Sequence, residues 1–94
     1  MYHVYFIKSE RNNKIYVGMT EKPPETRLQE HNQGSNAWSK NNGPFKMLYF
    51  EKYHCKEDAL SREKFYKDGF GRLIKSCIIE TIEKHNHWGR SSVG

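Results

Sequence analysis

Two short segments near the start of the chain, His3-Val4-Tyr5 and Tyr16-Val17-Gly18, each set a tyrosine in an apolar stretch, and Arg27, His31 and Glu63 follow them. Phenol, guanidinium, imidazole and carboxylate in this combination suggest a metal-dependent nuclease site. Breaking a phosphodiester builds negative charge on the non-bridging and leaving oxygens, and a fixed guanidinium and a metal ion address the same charge. Arg27 and Glu63 supply that pair. A single protein carboxylate suffices for Mg²⁺ when water and phosphate complete an octahedral shell, so the lack of an acidic cluster is no obstacle. Tyrosine, with a reference pKa of about 10, is a poor base near neutrality unless nearby cations favour the phenolate. His31, Arg27 and the metal are the candidates for that task.

The elements that must position these groups are legible in outline. Residues 2 to 8 and 14 to 19 are rich in Val, Ile, Tyr and Phe, and Glu10-Arg11-Asn12-Asn13 between them reads as the turn of a β-hairpin. With the turn centred on Asn12 and Asn13, Arg11 pairs with Lys14, and counting back puts Tyr5 and Tyr16 on one sheet face. A one-residue slip would separate them. Pro23 and Pro24 suit the opening of a helix that runs to about Asn32 and stops at Gly34. Arg27 and His31, four apart and next to Leu28, share its sheet-facing side.

Gly34 to Pro44, rich in Ser, Asn and Gly, reads as a loop, and the aromatic run Met47 to Tyr53 as a strand covered on both faces. A second helix is expected over about Lys56 to Lys67, with Ala59, Tyr66 and Phe70 on one stripe. Glu63 falls inside that stripe and needs a cation or a hydrogen-bonding network there. Leu73 to Ile82 is expected as a third helix with Ile74, Cys77, Ile78 and Ile82 inward. The chain should therefore form one domain over residues 1–84, followed by a frayed, disordered tail over 85–94.

Ninety-four residues make one small domain, too short for a catalytic unit and a separate recognition unit. Sixteen Lys and Arg against eleven Asp and Glu leave a formal charge of +5, which favours an anionic partner, with nucleic acid as the first candidate. Lys8, Lys14, Lys40 and Lys75 are the candidate phosphate contacts, with Lys46 beside them, although solvated lysine is the default for any single one. Cys55 and Cys77 lie far apart with no zinc-site spacing and read as reduced thiols. No apolar run approaches the roughly 20 residues that span a bilayer, and no signal-peptide layout opens the chain, so a cytoplasmic protein without membrane contact is expected.

In family order the chain presents His3-Val4-Tyr5, Tyr16-Val17-Gly18-Met19-Thr20, Thr26 to Asn32, the strand Phe45 to Glu51, and Ala59 to Lys67 around Arg62-Glu63-Lys64. These five elements, from about Tyr2 to Lys75, resemble the GIY-YIG nuclease superfamily, and specifically its small single-domain members related to the N-terminal domain of the UvrC excision-repair subunit. The resemblance implies an α+β fold, a three-stranded antiparallel sheet flanked by helices, with the active site on one sheet face. It also implies roles. Tyr16 acts at the attacking water, Tyr5 positions water and phosphate, Arg27 contacts the scissile phosphate, His31 assists tyrosine, and Glu63 holds one divalent cation, Mg²⁺ or Mn²⁺. DNA is the implied substrate and RNA the alternative, with sequence specificity low or lent by a protein partner.

The chain departs from the family pattern in four places. His3 opens the first tripeptide where glycine is usual, Met19 stands where UvrC-like members carry lysine, one additional residue separates Tyr16 from Arg27, and no asparagine follows Glu63 before Asn86. Met19 and the distant asparagine prompt the alternative of a non-catalytic nucleic-acid-binding module. A protein-interaction role with incidental charge is the third reading. For single residues the bland readings are sheet aromatics for Tyr5 and Tyr16, packing or capping for His31, and an ordinary helix pair with Lys67 or Arg62 for Glu63. Trp38 and Trp88 read as partial core or tail contacts rather than base-stacking platforms.

Overall fold

The computed structural model describes residues 1–34 and 36–93, with side chains through His85. Strands β1 (Tyr2–Ser9), β2 (Ile15–Thr20) and β3 (Phe45–Tyr53) form one antiparallel sheet in the order β2-β1-β3. Helices α1 (Pro24–Asn32) and α2 (Ala37–Asn42) connect β2 to β3, and α3 (Lys56–Lys67) and α4 (Gly69–Val93) follow the sheet. This is the α+β architecture expected from the sequence.

Strand alternation divides the core in two. Val4 and Phe6 of β1 join Val17, Ala59 and Tyr66 on the face packed by α3 and α4. Tyr5 and Ile7 join Phe45, Tyr16, Leu28 and Trp38 on the face packed by α1 and α2. Residues 4 to 7 are therefore almost wholly buried, and β1 is the strand covered on both sides. β3, read from its aromatics as the doubly covered strand, instead lies at a sheet edge, where its burial alternates and Phe50 is exposed.

The hairpin keeps its two tyrosines on one face in a register displaced by two residues from the expected one. Lys8 pairs with Ile15 and Ile7 with Tyr16, and the loop spans Glu10 to Asn13. The cause is Ser9. Its buried Oγ accepts from the amides of Arg11 and Asn12 at 3.1 and 3.2 Å, starting the turn earlier, and Asn13 closes it at φ 63°. An even displacement preserves the facing of every side chain.

Three further expectations are corrected. The Gly34 to Pro44 segment is not all loop, because Asn36 caps α2 by accepting from Ser39 N–H at 2.8 Å. Phe70 does not extend the α3 stripe: α3 ends at Lys67, and Phe70 lies exposed in the first turn of α4. Within α4, Ile74, Ile78 and Ile79 meet the core, and Cys77 is exposed. The corner between the helices is tight enough that a Cβ on Gly71 would lie 1.7 Å from the Phe65 carbonyl oxygen, so only glycine fits there. Helix α4 continues to Val93, and the expectation of an aperiodic tail, with Asn86 and Trp88, falls on side chains outside the described residues.

Candidate active site

Tyr5 enters from the central strand and Tyr16 from β2, their ring centroids 6.2 Å apart. The amide side chain of Asn32 fixes the end of α1 against β3, accepting from Phe45 N–H at 2.7 Å and donating to Phe45 C=O at 3.3 Å. One residue earlier, His31 is carried fully inside, against Tyr16 at 4.9 Å and Phe45 at 5.9 Å between centroids. Its Nε2 lies 2.8 Å from the Tyr5 hydroxyl and its Nδ1 is bonded to the buried Ser39 hydroxyl. Tyr5, His31 and Ser39 thus form a buried chain across β1, α1 and α2.

Burial, with the Arg27 charge acting in the same direction, lowers the His31 pKa to about 4. A neutral imidazole carries one N–H, so His31 donates one of its two bonds and receives the other from a hydroxyl. Burial pushes the Tyr5 hydroxyl up to about 12, with Arg27 opposing and the charges of Tyr16 and Glu63 adding to it. Tyr5 is therefore a phenol near neutrality. His31 meets Tyr5 as a neutral hydrogen-bond partner, whereas against Tyr16 the imidazole makes a ring contact.

Arg27, one turn before His31, donates to Glu30 at 2.8 Å, and Glu30 also accepts from Lys22. Its charge acts on the Tyr5 hydroxyl and opposes the rise in that group's pKa. Glu63 lies on α3, which packs against β1 and β2, and accepts from Lys67 at 2.8 Å. That is an ordinary helix pair, yet the Glu63 charge also reaches Tyr5. Lys67 in turn stands 5.9 Å from the Tyr16 ring centroid.

The candidate lysines scatter. Lys75 lines a cleft beside Tyr16. Lys8 points to the opposite sheet face and pairs with Glu83, Lys14 is exposed at the end of the hairpin turn, and Lys40 is exposed on α2. Ser39 and Glu30 are site residues that the sequence pattern does not single out. Glu30 has a signal in its three-residue spacing from Arg27, and Ser39 has only the capping pattern that opens at Asn36.

Among the described residues no three His, Cys, Asp or Glu side chains converge to hold a metal ion. Glu63 offers hard carboxylate oxygens, and its charge is felt at Tyr5. This donor fits Mg²⁺ or Mn²⁺, which keep several waters and take few protein ligands, better than an ion needing a full protein cage. Cys55 and Cys77 are free thiols, and among the described residues no helix is long and apolar enough to cross a membrane.

The GIY-YIG catalytic domain family matches residues 1–76. A UPF0213 protein of Clostridium perfringens is 37% identical over 68 residues, covering 71% of each chain. UPF0213 proteins of Oceanobacillus iheyensis and Staphylococcus haemolyticus are 35% and 34% identical, covering 87% and 84% of this chain and 94% of each relative. No solved structure matches. With its sheet, its paired tyrosines and a match over most of its length, the chain belongs to the GIY-YIG family of nuclease-type catalytic domains.

Proposed function

We propose that this domain is a metal-dependent endonuclease that hydrolyses phosphodiester bonds of DNA. The observation that carries this reading is the convergence of Tyr5, Tyr16 and His31 on one sheet face, with Arg27 one helical turn before His31 on the helix that packs there. Tyr16, the less buried of the two phenols, faces the attacking water. Tyr5, kept a phenol by burial, accepts from His31 Nε2–H and donates its own proton to water or phosphate, fixing its position. Arg27, braced by Glu30, meets the charge that develops on the phosphate oxygens, as a preorganised cation in a partly desolvated site should. Glu63 would hold one Mg²⁺ or Mn²⁺, which when bound supplies Lewis-acid stabilisation of oxyanion charge.

The test is incubation of the purified protein with supercoiled plasmid and with branched and single-stranded oligonucleotides in Mg²⁺ or Mn²⁺, beside Glu63→Ala and Tyr16→Phe variants. Cleavage that both variants lose while keeping the wild-type melting temperature supports the reading. Full activity of Glu63→Ala removes the role given to Glu63. A second reading, a module that binds nucleic acid without cutting it, draws on Met19 in place of lysine and on Lys67 occupying the Glu63 carboxylate. Salt-sensitive binding with no turnover in either metal would establish it.

A further inference from the structure

A cleft of about 370 Å³ opens beside Tyr16, between β2, Trp38 and the α3–α4 corner, and three of its lining side chains are Lys67, Arg72 and Lys75. The close approach of Gly71 to Phe65 turns the chain so that the first turns of α4 lie against the end of α3. That corner brings the three cations together. Lys67 is neutralised in part by Glu63, but none of the ion pairs among the described side chains takes Arg72 or Lys75. Lys75 is half-buried, and burial together with the charges of Arg72 and Lys67 lowers its pKa. Like charges gathered in a partly dry cleft repel one another and disfavour the fold unless an anion joins them.

The neighbouring aromatics narrow what that anion can be. Trp38 is stacked on Phe45 at 5.2 Å and packed against Tyr16 at 5.0 Å, so its ring is engaged by the aromatic cluster. What the cleft presents is cationic hydrogen-bond donors without base-edge readers. We propose that this cleft is a second phosphate subsite, in which Arg72 and Lys75 hold a phosphodiester of the same strand that Tyr16 addresses. The subsite rests on the nuclease reading for its place beside the scissile bond, and its recognition is independent of sequence.

The test is binding of a labelled single-stranded oligodeoxynucleotide and of its ribose counterpart, by fluorescence anisotropy in EDTA so that no strand is cut, across a salt series. The Arg72→Gln/Lys75→Gln protein should bind about tenfold more weakly, with the salt slope reduced by about 0.7 for each phosphate no longer neutralised. A control with the same charge change, Lys52→Gln/Lys56→Gln at exposed positions outside the cleft, should stay within about twofold of wild type. Equal weakening of the two double variants overturns the subsite in favour of diffuse charge. Weakening confined to one of the two oligonucleotides supports the subsite and assigns its strand type. If the wild type cuts nothing in Mg²⁺ but binding depends on Arg72 and Lys75, the nuclease reading fails and the phosphate subsite stands. If the wild type cuts and Arg72→Gln/Lys75→Gln leaves binding and KM unchanged, the subsite fails alone.

Discussion

Gly18 stands directly across from Tyr5 in the β1–β2 ladder, and a Cβ placed on it would lie 2.5 Å from the Tyr5 hydroxyl oxygen and 2.8 Å from Cε2 of Tyr16. The two phenols converge over the place where a side chain is missing. Glycine here serves close approach of aromatic rings, since Gly18 is buried in an ordinary strand. Each ring is backed on its far side, Tyr5 by its bond to His31 and Tyr16 by Trp38, so neither can retreat freely.

Gly18→Ala should therefore displace one phenol. A single additional methyl in a packed site costs about 1–3 kcal/mol, and a displacement near 1 Å at a reacting centre costs on the order of 100-fold in rate. The expected variant melts as a folded domain with a lowered Tm and altered near-ultraviolet circular dichroism, and it loses most of any cleavage activity. Activity within twofold of wild type would mean that the spacing of these rings does not hold the site together.

His31 gives a pH dependence whose sign follows from its burial. The unfolded chain takes up a proton as pH falls through about 6.5, whereas the folded protein resists it until about 4. Stability present above pH 6.5 is thus lost between those values, by on the order of 3 kcal/mol. Urea unfolding at a series of pH values reads this directly. His31→Phe should flatten that window while lowering stability at pH 7, because the Tyr5 and Ser39 hydroxyls are left buried without their partner. An unchanged slope in the variant would assign the acid sensitivity to other groups.

Local pattern carries the hairpin, α1, α3 and the facing of Tyr5 and Tyr16, because period and spacing decide these. It fails where a side chain overrides the pattern. Ser9 starts the turn ahead of the asparagines, and Asn36 caps a six-residue helix in a stretch whose composition reads as loop. The Tyr5–His31–Ser39 chain needs that helix and is invisible without it. Glu51 is the clearest case. It lies in a run read as aromatic strand, where the two-residue spacing puts Tyr49 and Tyr53 on its face, but Tyr66 and Arg62 reach it from α3, and no spacing in the sequence joins those. The scatter of Lys8, Lys14 and Lys40 has the same origin, since composition counts charges without locating them.

On the sheet face away from the candidate site, Glu51 accepts from Tyr49 at 2.7 Å, Tyr53 at 2.6 Å and Tyr66, and Arg62 donates to it at 3.3 Å. Burial raises the Glu51 pKa, but the three phenols and Arg62 outweigh it and hold the carboxyl below its ordinary value. Glu51→Ala leaves three phenols and a guanidinium without their acceptor, at a cost of about 3 kcal/mol. At roughly 4–8 °C per kcal/mol for a domain of this size, Tm should fall by roughly 12–24 °C. Nucleic-acid binding well below that temperature should be unaffected. A Tm within a few degrees of wild type would show that the network adds little to the fold.

Lys67 binds the carboxylate that the proposed chemistry reserves for a metal ion, and the same ammonium faces Tyr16. Replacing it separates the two functions of the charge. In Lys67→Gln, Glu63 loses its competitor, and an exposed i,i+4 pair is worth roughly 0.3–0.5 kcal/mol, so Mn²⁺ should bind about twofold more tightly. Nucleic-acid affinity should fall, because a cation has left the cleft. Titration of free Mn²⁺ by electron paramagnetic resonance measures the first change and anisotropy the second. Opposite shifts are what the geometry requires. If Mn²⁺ affinity falls or stays the same in Lys67→Gln, Glu63 is held as an ordinary surface pair and the ion, if one binds, is held elsewhere.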